Sequence, residues 1–204
     1  MSTFMRGKKC ELRILEESDE EARAWTNGVM GNITLQHLLT GSIPMRWIEV
    51  QDYWRDKRKK GAVHWGIWIA RNEEERGYME PASKFVGVTG LYDPYEVYRS
   101  YEFRIIIFAG EELGKGIGQE ATWMVTDYAF RRLNSHRVWL GVNEENAGAV
   151  KCYENVGYKL EGVLRDAIYC YGKYSGVKRY AILRHEWEEE CRRRELSSMG
   201  PLYA

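Results

Sequence analysis

A mixed α/β fold, one sheet flanked by helices, is the class this sequence predicts. Two strand-then-helix units carry that expectation. An apolar run at 102–108 leads through a glycine-rich turn into a helical pattern at 119–133, and a second run at 137–142 leads into another at 146–156. Two earlier runs, 64–70 and 84–92, are rich in β-branched and aromatic residues and read as the strands of one hairpin.

The elements follow in order along the chain. Residues 10–15 read as a strand, and 18–29 as a helix broken near Gly28 and Gly31. The stretch 35–44 reads as a loop. A helix over 45–60 carries Trp47, Tyr53 and Trp54 amid charge and stops at Gly61. Between the hairpin strands, residues 71–83 are highly charged and contain Gly77 and Pro81, which predicts a long exposed turn. A strand at 101–108, a helix at 116–133, a strand at 137–142 and a helix at 146–156 come next, followed by strands at 157–163, 166–171 and 177–184. Residues 1–187 form one domain, with no internal repeat or linker. Residues 188–204 read as a C-terminal tail, its Glu/Arg-rich start a short helix and its end frayed from Ser197.

A chain of 204 residues can bury one sizeable core. Its thirty basic and thirty acidic side chains cancel, so no overall field draws nucleic acid or an anionic membrane. No run approaches the ~18 apolar residues of a membrane span. Cys10, Cys152, Cys170 and Cys191 lie far apart with no CxxC pair, and no secretory leader is evident, so a reducing cytoplasm is the expected compartment. His37, His64, His136 and His185 are scattered, and no metal is expected.

The turn after the 102–108 strand holds the main chemical signal. Gly114, Gly116 and Gly118 allow close backbone approach, and the first N–H groups of the following helix point at any anion placed there. A phosphate-bearing cofactor is the natural occupant. The nucleotide-triphosphate loop is excluded because no Ser or Thr follows Lys115, and the dinucleotide fingerprint because the spacing is Gly-x-Gly-x-Gly past mid-chain. Alternating glycines alone also fit a flexible turn with no ligand.

The segment from Leu113 to Gly118, followed by Asn146 to Tyr158, resembles the two motifs of the GNAT superfamily of acetyl-CoA-dependent N-acetyltransferases. Those motifs are Arg/Gln-x-x-Gly-x-Gly/Ala and Asn-x-x-Ala-x-x-x-Tyr-x-x-x-Gly-Tyr/Phe. In the second, Asn146, Ala149, Tyr153, Gly157 and Tyr158 all fall at the family spacing. In the first, Leu113 stands where the family has Arg or Gln, so only the backbone contacts are expected there. Leu12 to Leu15 with Asp19, Trp25-Thr26-Asn27, Glu102 to Ile107, Leu160 to Arg165 and Tyr171 to Tyr174 extend the likeness. They are similar to the branch of ribosomal-protein N-terminal acetyltransferases and bacterial spermidine acetyltransferases.

The resemblance implies the GNAT fold: a central, mostly antiparallel sheet whose middle strands splay apart, with the pantetheine arm of acetyl-CoA in the gap and CoA as the product. It implies that Ile105, Ile106, Ile107 and Phe108 offer pantetheine the backbone groups that splaying leaves without strand partners. An N–H near Ile107 or Phe108 would face the thioester oxygen. As side chains, 105–107 read equally as core. Leu113, Gly114, Lys115, Gly116, Ile117 and Gly118 then border the pyrophosphate, with Asn146, Ala149 and Tyr153 along the arm. Asn146 also reads as a helix N-cap, and Lys115 as an exposed loop lysine.

A primary amine with a pKa of about 10 must lose a proton before attack, and the departing thiolate gains one. Tyr153, at the family's acid position, is the candidate donor; a tyrosine at core spacing is the alternative. Many relatives that modify protein N termini carry a Glu on the strand before the Asn motif, but Gly141 stands there. Glu102 is the candidate base, its alternative an ion pair with Arg104. Cys152 is read as packing, since no His activates it and direct transfer needs no acyl-enzyme.

The acceptor wall is expected from Trp25 to Trp54, Tyr92 to Tyr101 and Tyr169 to Tyr174, whose aromatic rings suit a sugar or a cation. Residues 38–44 lack the acidic pair that spermidine acetyltransferases carry near this place. A small-molecule amine is therefore expected, either an amino sugar, an aminoglycoside or a polyamine, with an amino sugar fitting best. A protein N terminus or lysine is the alternative, and a non-catalytic CoA-binding module the third reading. A homodimer is left open.

Overall fold

The computed structural model describes residues 3–38, 44–70, 83–170 and 172–194. Among these described residues eight strands form one sheet: β1 (Thr3–Arg6), β2 (Glu11–Ile14), β3 (Val63–Ala70), β4 (Ser83–Tyr95), β5 (Ser100–Ile107), β6 (Arg137–Asn143), β7 (Lys159–Cys170) and β8 (Lys173–Leu183). Their order across the sheet is β1-β2-β3-β4-β5-β6-β8-β7. Every neighbouring pair is antiparallel except β5 and β6, which run parallel.

Six α-helices among the described residues flank it: α1 (Asp19–Met30), α2 (Ile33–Leu38), α3 (Trp47–Lys59), α4 (Ile117–Arg131), α5 (Ala147–Val156) and α6 (Arg184–Arg193). Because side chains alternate across a strand, β4 and β5 serve two cores at once. Phe103 and Leu91 pack with Ala121, Met124, Val125, Tyr153 and Trp187 of α4, α5 and α6. Val88 and Ile106 point the other way, onto Ala22, Val50 and Trp54 of α1 and α3.

Local chemistry sets the helix ends. At α1, Ser18 Oγ accepts the Glu21 N–H at 3.2 Å while the Glu21 carboxylate accepts the Ser18 N–H at 3.1 Å, a reciprocal cap. The expected break near Gly28 does not occur, and α1 runs unbroken to Gly31. A Cβ at Gly28 would stand 2.6 Å from the Phe108 ring, so this glycine allows close packing and does not interrupt the helix. At α5, Asn146 Oδ1 accepts the Ala149 N–H at 3.0 Å, and Gly157 closes the helix at φ +108°.

Other differences from expectation have plain causes. The polar start conceals β1, which pairs with β2 and buries Met5. The loop expected at 35–44 begins as the end of α2, and residues 39–43 lie outside the described residues, as do 71–82 of the expected turn. The strands expected at 157–163 and 166–171 are one strand, β7; its pairing with β8 shifts register between Leu164 and Ile168, beside Asp166 at φ +51°. The helix α6 runs through the boundary expected at 187/188 because Trp187 is buried and Cys191 packs on the core. Residues 195–204 of the expected tail lie outside the described residues.

Candidate active site

The sheet opens between β5 and β6. Their parallel pairing covers Ser100 with Arg137, Tyr101 with Val138 and Glu102 with Trp139. Beyond Glu102, β5 stays with β4 as far as Ile107, whereas β6 follows β8 to Asn143. A cavity of about 430 Å³ fills the divergence. Phe103 to Ile106 line one edge and Gly141 to Asn143 the other, with Trp25, Val50, Tyr53 and Trp54 from α1 and α3 on one side and Tyr153 of α5 on the other.

The strand register decides which backbone groups face the gap. The Phe108 N–H donates to the Val86 carbonyl at 3.0 Å, and residues 107, 106 and 105 stand opposite 87, 88 and 89. In an antiparallel ladder alternate residues turn both N–H and C=O toward the partner strand. Phe108 and Ile106 therefore bond to β4, while the peptide groups of Ile105 and Ile107 point to the side that β6 has left. This corrects the expectation that all of 105–108 lack strand partners. Phe108 is spoken for by β4, and Ile107 or Ile105 is the free donor. Such a pair matches the alternating amide groups of a pantetheine arm.

The glycine loop ends in the N-terminus of α4. Gly114 and Gly116 have φ of +77° and +84°, a region that favours glycine, and Gly116 is the N-cap. Gly118 lies inside α4 with ordinary helical φ, and a Cβ there would meet Ile107 Cδ1 at 3.4 Å. The N–H groups of Ile117, Gly118 and Gln119 have no carbonyl one turn earlier within the helix, so they offer donors to a phosphate. Lys9 Nζ lies against this loop, donating to the Lys115 carbonyl at 2.6 Å. The Lys115 ammonium is paired to Glu112 at 2.8 Å, and the Leu113 side chain is half exposed.

Tyr153 is 7% exposed, and burial pushes its phenol pKa well above the ordinary value. At neutral pH it carries its proton and can donate it. Burial also raises the Cys152 thiol pKa, which keeps it from acting as a thiolate nucleophile and fits its reading as packing. Asn146 lines the cavity, but its Oδ1 is engaged in the cap, and Ala149 supplies the capped N–H. A Cβ at Gly141 would meet Val177 Cγ1 at 3.2 Å, so a larger residue at this position would need the valine to give way slightly.

Glu102 lines the cavity and is not alone. Its Oε2 accepts from Arg104 Nη2 at 2.5 Å; the same guanidinium reaches Asp93 Oδ2 at 2.8 Å and Tyr53 Oη at 2.7 Å, and it lies 4.9 Å from the Tyr92 ring centre. Trp25, Tyr53, Trp54 and Tyr92 do form an aromatic wall here, whereas Tyr169 and Tyr174 pair with each other at an exposed hairpin outside it. Sequence reasoning missed Arg104 as a member of the site, and missed Asn143. Asn143 is buried at the end of β6, where its Oδ1 accepts from the Glu145 N–H at 3.0 Å and Ser175 Oγ at 3.1 Å. A polar residue ending an apolar strand just before a helix cap was the available signal.

A splayed sheet, a helix N-terminus behind a glycine loop and a buried phenol at the gap define an enzyme that moves an acyl group from a CoA thioester. The chain belongs to the acetyltransferase (GNAT) domain family, whose model matches residues 11–159. It is accordingly an N-acetyltransferase that uses acetyl-CoA. The spermidine N(1)-acetyltransferase of Vibrio cholerae is 38% identical over 120 residues, 58% of this chain and 69% of that protein. The crystal structure of a spermidine N-acetyltransferase from the same organism, in complex with CoA and spermine, superposes with a TM-score of 0.75 at 26% identity, covering 89% of this chain and 99% of the other. A dodecameric structure of that enzyme in an intermediate state gives 0.68 at 27% identity, covering 89% and 97%. Among the described residues no helix is long and apolar enough to cross a membrane.

Proposed function

We propose that this chain acetylates a primary amino group of a small molecule of the polyamine class by direct attack on the thioester, with Tyr153 as proton donor to the sulfur and Glu102 as the base. The observation that carries the reading is that Tyr153 and Glu102, from different elements, line one cavity at the gap between β5 and β6. The aromatic wall supports it, since rings of Trp and Tyr attract ammonium groups. Kinship to spermidine acetyltransferases moves the acceptor from the amino sugar favoured by sequence toward a polyamine. The catalytic unit is one domain closed by α6. The Ile105 and Ile107 backbone, the 113–118 loop, Asn146 and Ala149 hold the cofactor.

Acetyl-CoA turnover with spermidine, an amino-sugar nucleotide, an aminoglycoside and a Ser-initiated peptide tests the acceptor. The polyamine reading expects spermidine to lead in kcat/KM. A sugar leading by tenfold, about 1.4 kcal/mol of transition-state discrimination, would replace it.

We further propose that the chain forms a homo-oligomer through β7. This edge strand is exposed at every residue from 159 to 167, including Leu160, Val163 and Leu164, so both of its faces are open along that stretch. A long open edge with apolar side chains is a template for pairing, and a twofold axis lets the same strand pair with its copy. Light scattering of wild type and of Leu164→Lys tests it, with a shift to smaller mass expected in the variant.

A further inference from the structure

Arg104 stands in the acceptor side of the cavity, two residues from Glu102 on β5, and therefore on the same face of the strand. Among the described lining residues Glu102 is the only carboxylate. The guanidinium bonds Glu102 at 2.5 Å and Asp93 at 2.8 Å, with the Tyr53 hydroxyl at 2.7 Å and the Tyr92 ring 4.9 Å below. Lys57 Nζ adds a second cation to Asp93 at 2.7 Å. Two carboxylates and two cations sum to zero, so the acceptor side offers aromatic faces and little net negative charge.

We infer that Arg104 is a specificity-determining residue: by binding Glu102 Oε2 and Asp93 Oδ2 at the cavity wall, it neutralises the negative charge that a second ammonium would seek there, while Glu102 still faces the reacting amine. An amine whose far end is neutral loses nothing by this. A polycation must either displace a fixed guanidinium fork or leave its second charge to the aromatic rings alone. Arg104 thus limits how strongly the pocket prefers multiply charged amines over singly charged ones. The inference rests on the acetyltransferase reading above.

The test compares spermidine with glucosamine by kcat/KM, at fixed acetyl-CoA, in wild type and Arg104→Gln. Gln keeps a polar chain of similar reach and removes the charge. The spermidine-to-glucosamine ratio should rise at least tenfold, mainly through the KM for spermidine, and that KM should become more sensitive to salt. A ratio within threefold of wild type, or lower, overturns the inference. If Arg104→Gln does not fold, Arg104→Lys decides, because a lysine keeps the charge but cannot span both carboxylates; a rise below threefold then overturns it. Absence of turnover with every amine in the wild type would instead overturn the acetyltransferase reading itself, and the inference with it.

Discussion

The Tyr153 ring stands edge-on to Phe103, with centroids 6.2 Å apart and planes at 84°. This contact ties α5 to the first residue of β5 beyond its pairing with β6, so the phenol is aimed by the same strand whose departure opens the gap. Edge-to-face packing fixes the ring without using its hydroxyl.

Tyr153→Phe should keep that packing and remove only the hydroxyl that donates the proton. We expect kcat to fall by roughly ten- to a thousand-fold, with acetyl-CoA affinity close to wild type. Steady-state kinetics beside calorimetry measure the two separately. An unchanged kcat in a folded variant would return Tyr153 to a purely packing role.

The glycine loop should respond in a set order. Gly116 holds φ +84°, where a β-branched residue costs about 1–3 kcal/mol, so Gly116→Val should weaken acetyl-CoA binding by about ten- to a hundredfold. Gly118 has helical φ, and Gly118→Val acts only by crowding the first turn of α4, with a smaller loss. Leu113→Ala, at a half-exposed side chain, should change affinity least. A different order by calorimetry would mean that the loop is not the phosphate site.

Glu120 anchors the hairpin between β1 and β2 to α4. Its carboxylate accepts the N–H groups of Lys8, Lys9 and Cys10 at 2.9, 2.7 and 2.9 Å. Glu120→Ala leaves three donors without their acceptor and should cost about 2 kcal/mol, since bonds to charged groups count for more than neutral ones. For a chain of this size that lowers Tm by roughly 4–8 °C. A Tm within a degree or so of wild type would show that water replaces the carboxylate.

Burial lowers the pKa of His64 below its ordinary 6.5, and the Arg58 guanidinium adds to this while Glu17 opposes it. The Tyr92 ring stacks on its other side. The unfolded chain takes up a proton as pH falls through about 6.5, whereas the folded chain does so only lower. Stability from this group is full above that value and declines as pH drops below it. Between about pH 7.5 and about pH 5.5, wild type should lose more Tm than His64→Gln does. Equal losses would mean that His64 titrates normally.

Features written locally in the chain were legible. The 113–118 loop and the Asn146 to Tyr158 spacing need only neighbours a turn away, and α4, α5 and Tyr153 stand where they point. The Glu102–Arg104 ion pair was legible as neighbours on one strand, but the rest of the Arg104 network was not, because it comes from Tyr53, far off on α3, and from Asp93 on the facing strand. The Phe108 backbone was misread for a similar reason, since only the register against Val86 shows which peptide groups turn inward. Gly28 looked like a break because a sequence does not show that a phenyl ring lies against it.

The cavity between β5 and β6 is lined from both faces of the sheet, by α1 and α3 on one side and by Tyr153 of α5 on the other. Two reactants can then enter by separate doors, and neither has to leave before the other arrives. Such a layout suits direct transfer within a ternary complex. Its initial-rate lines should intersect when both concentrations are varied, where an enzyme that parks the acetyl group on itself would give parallel ones.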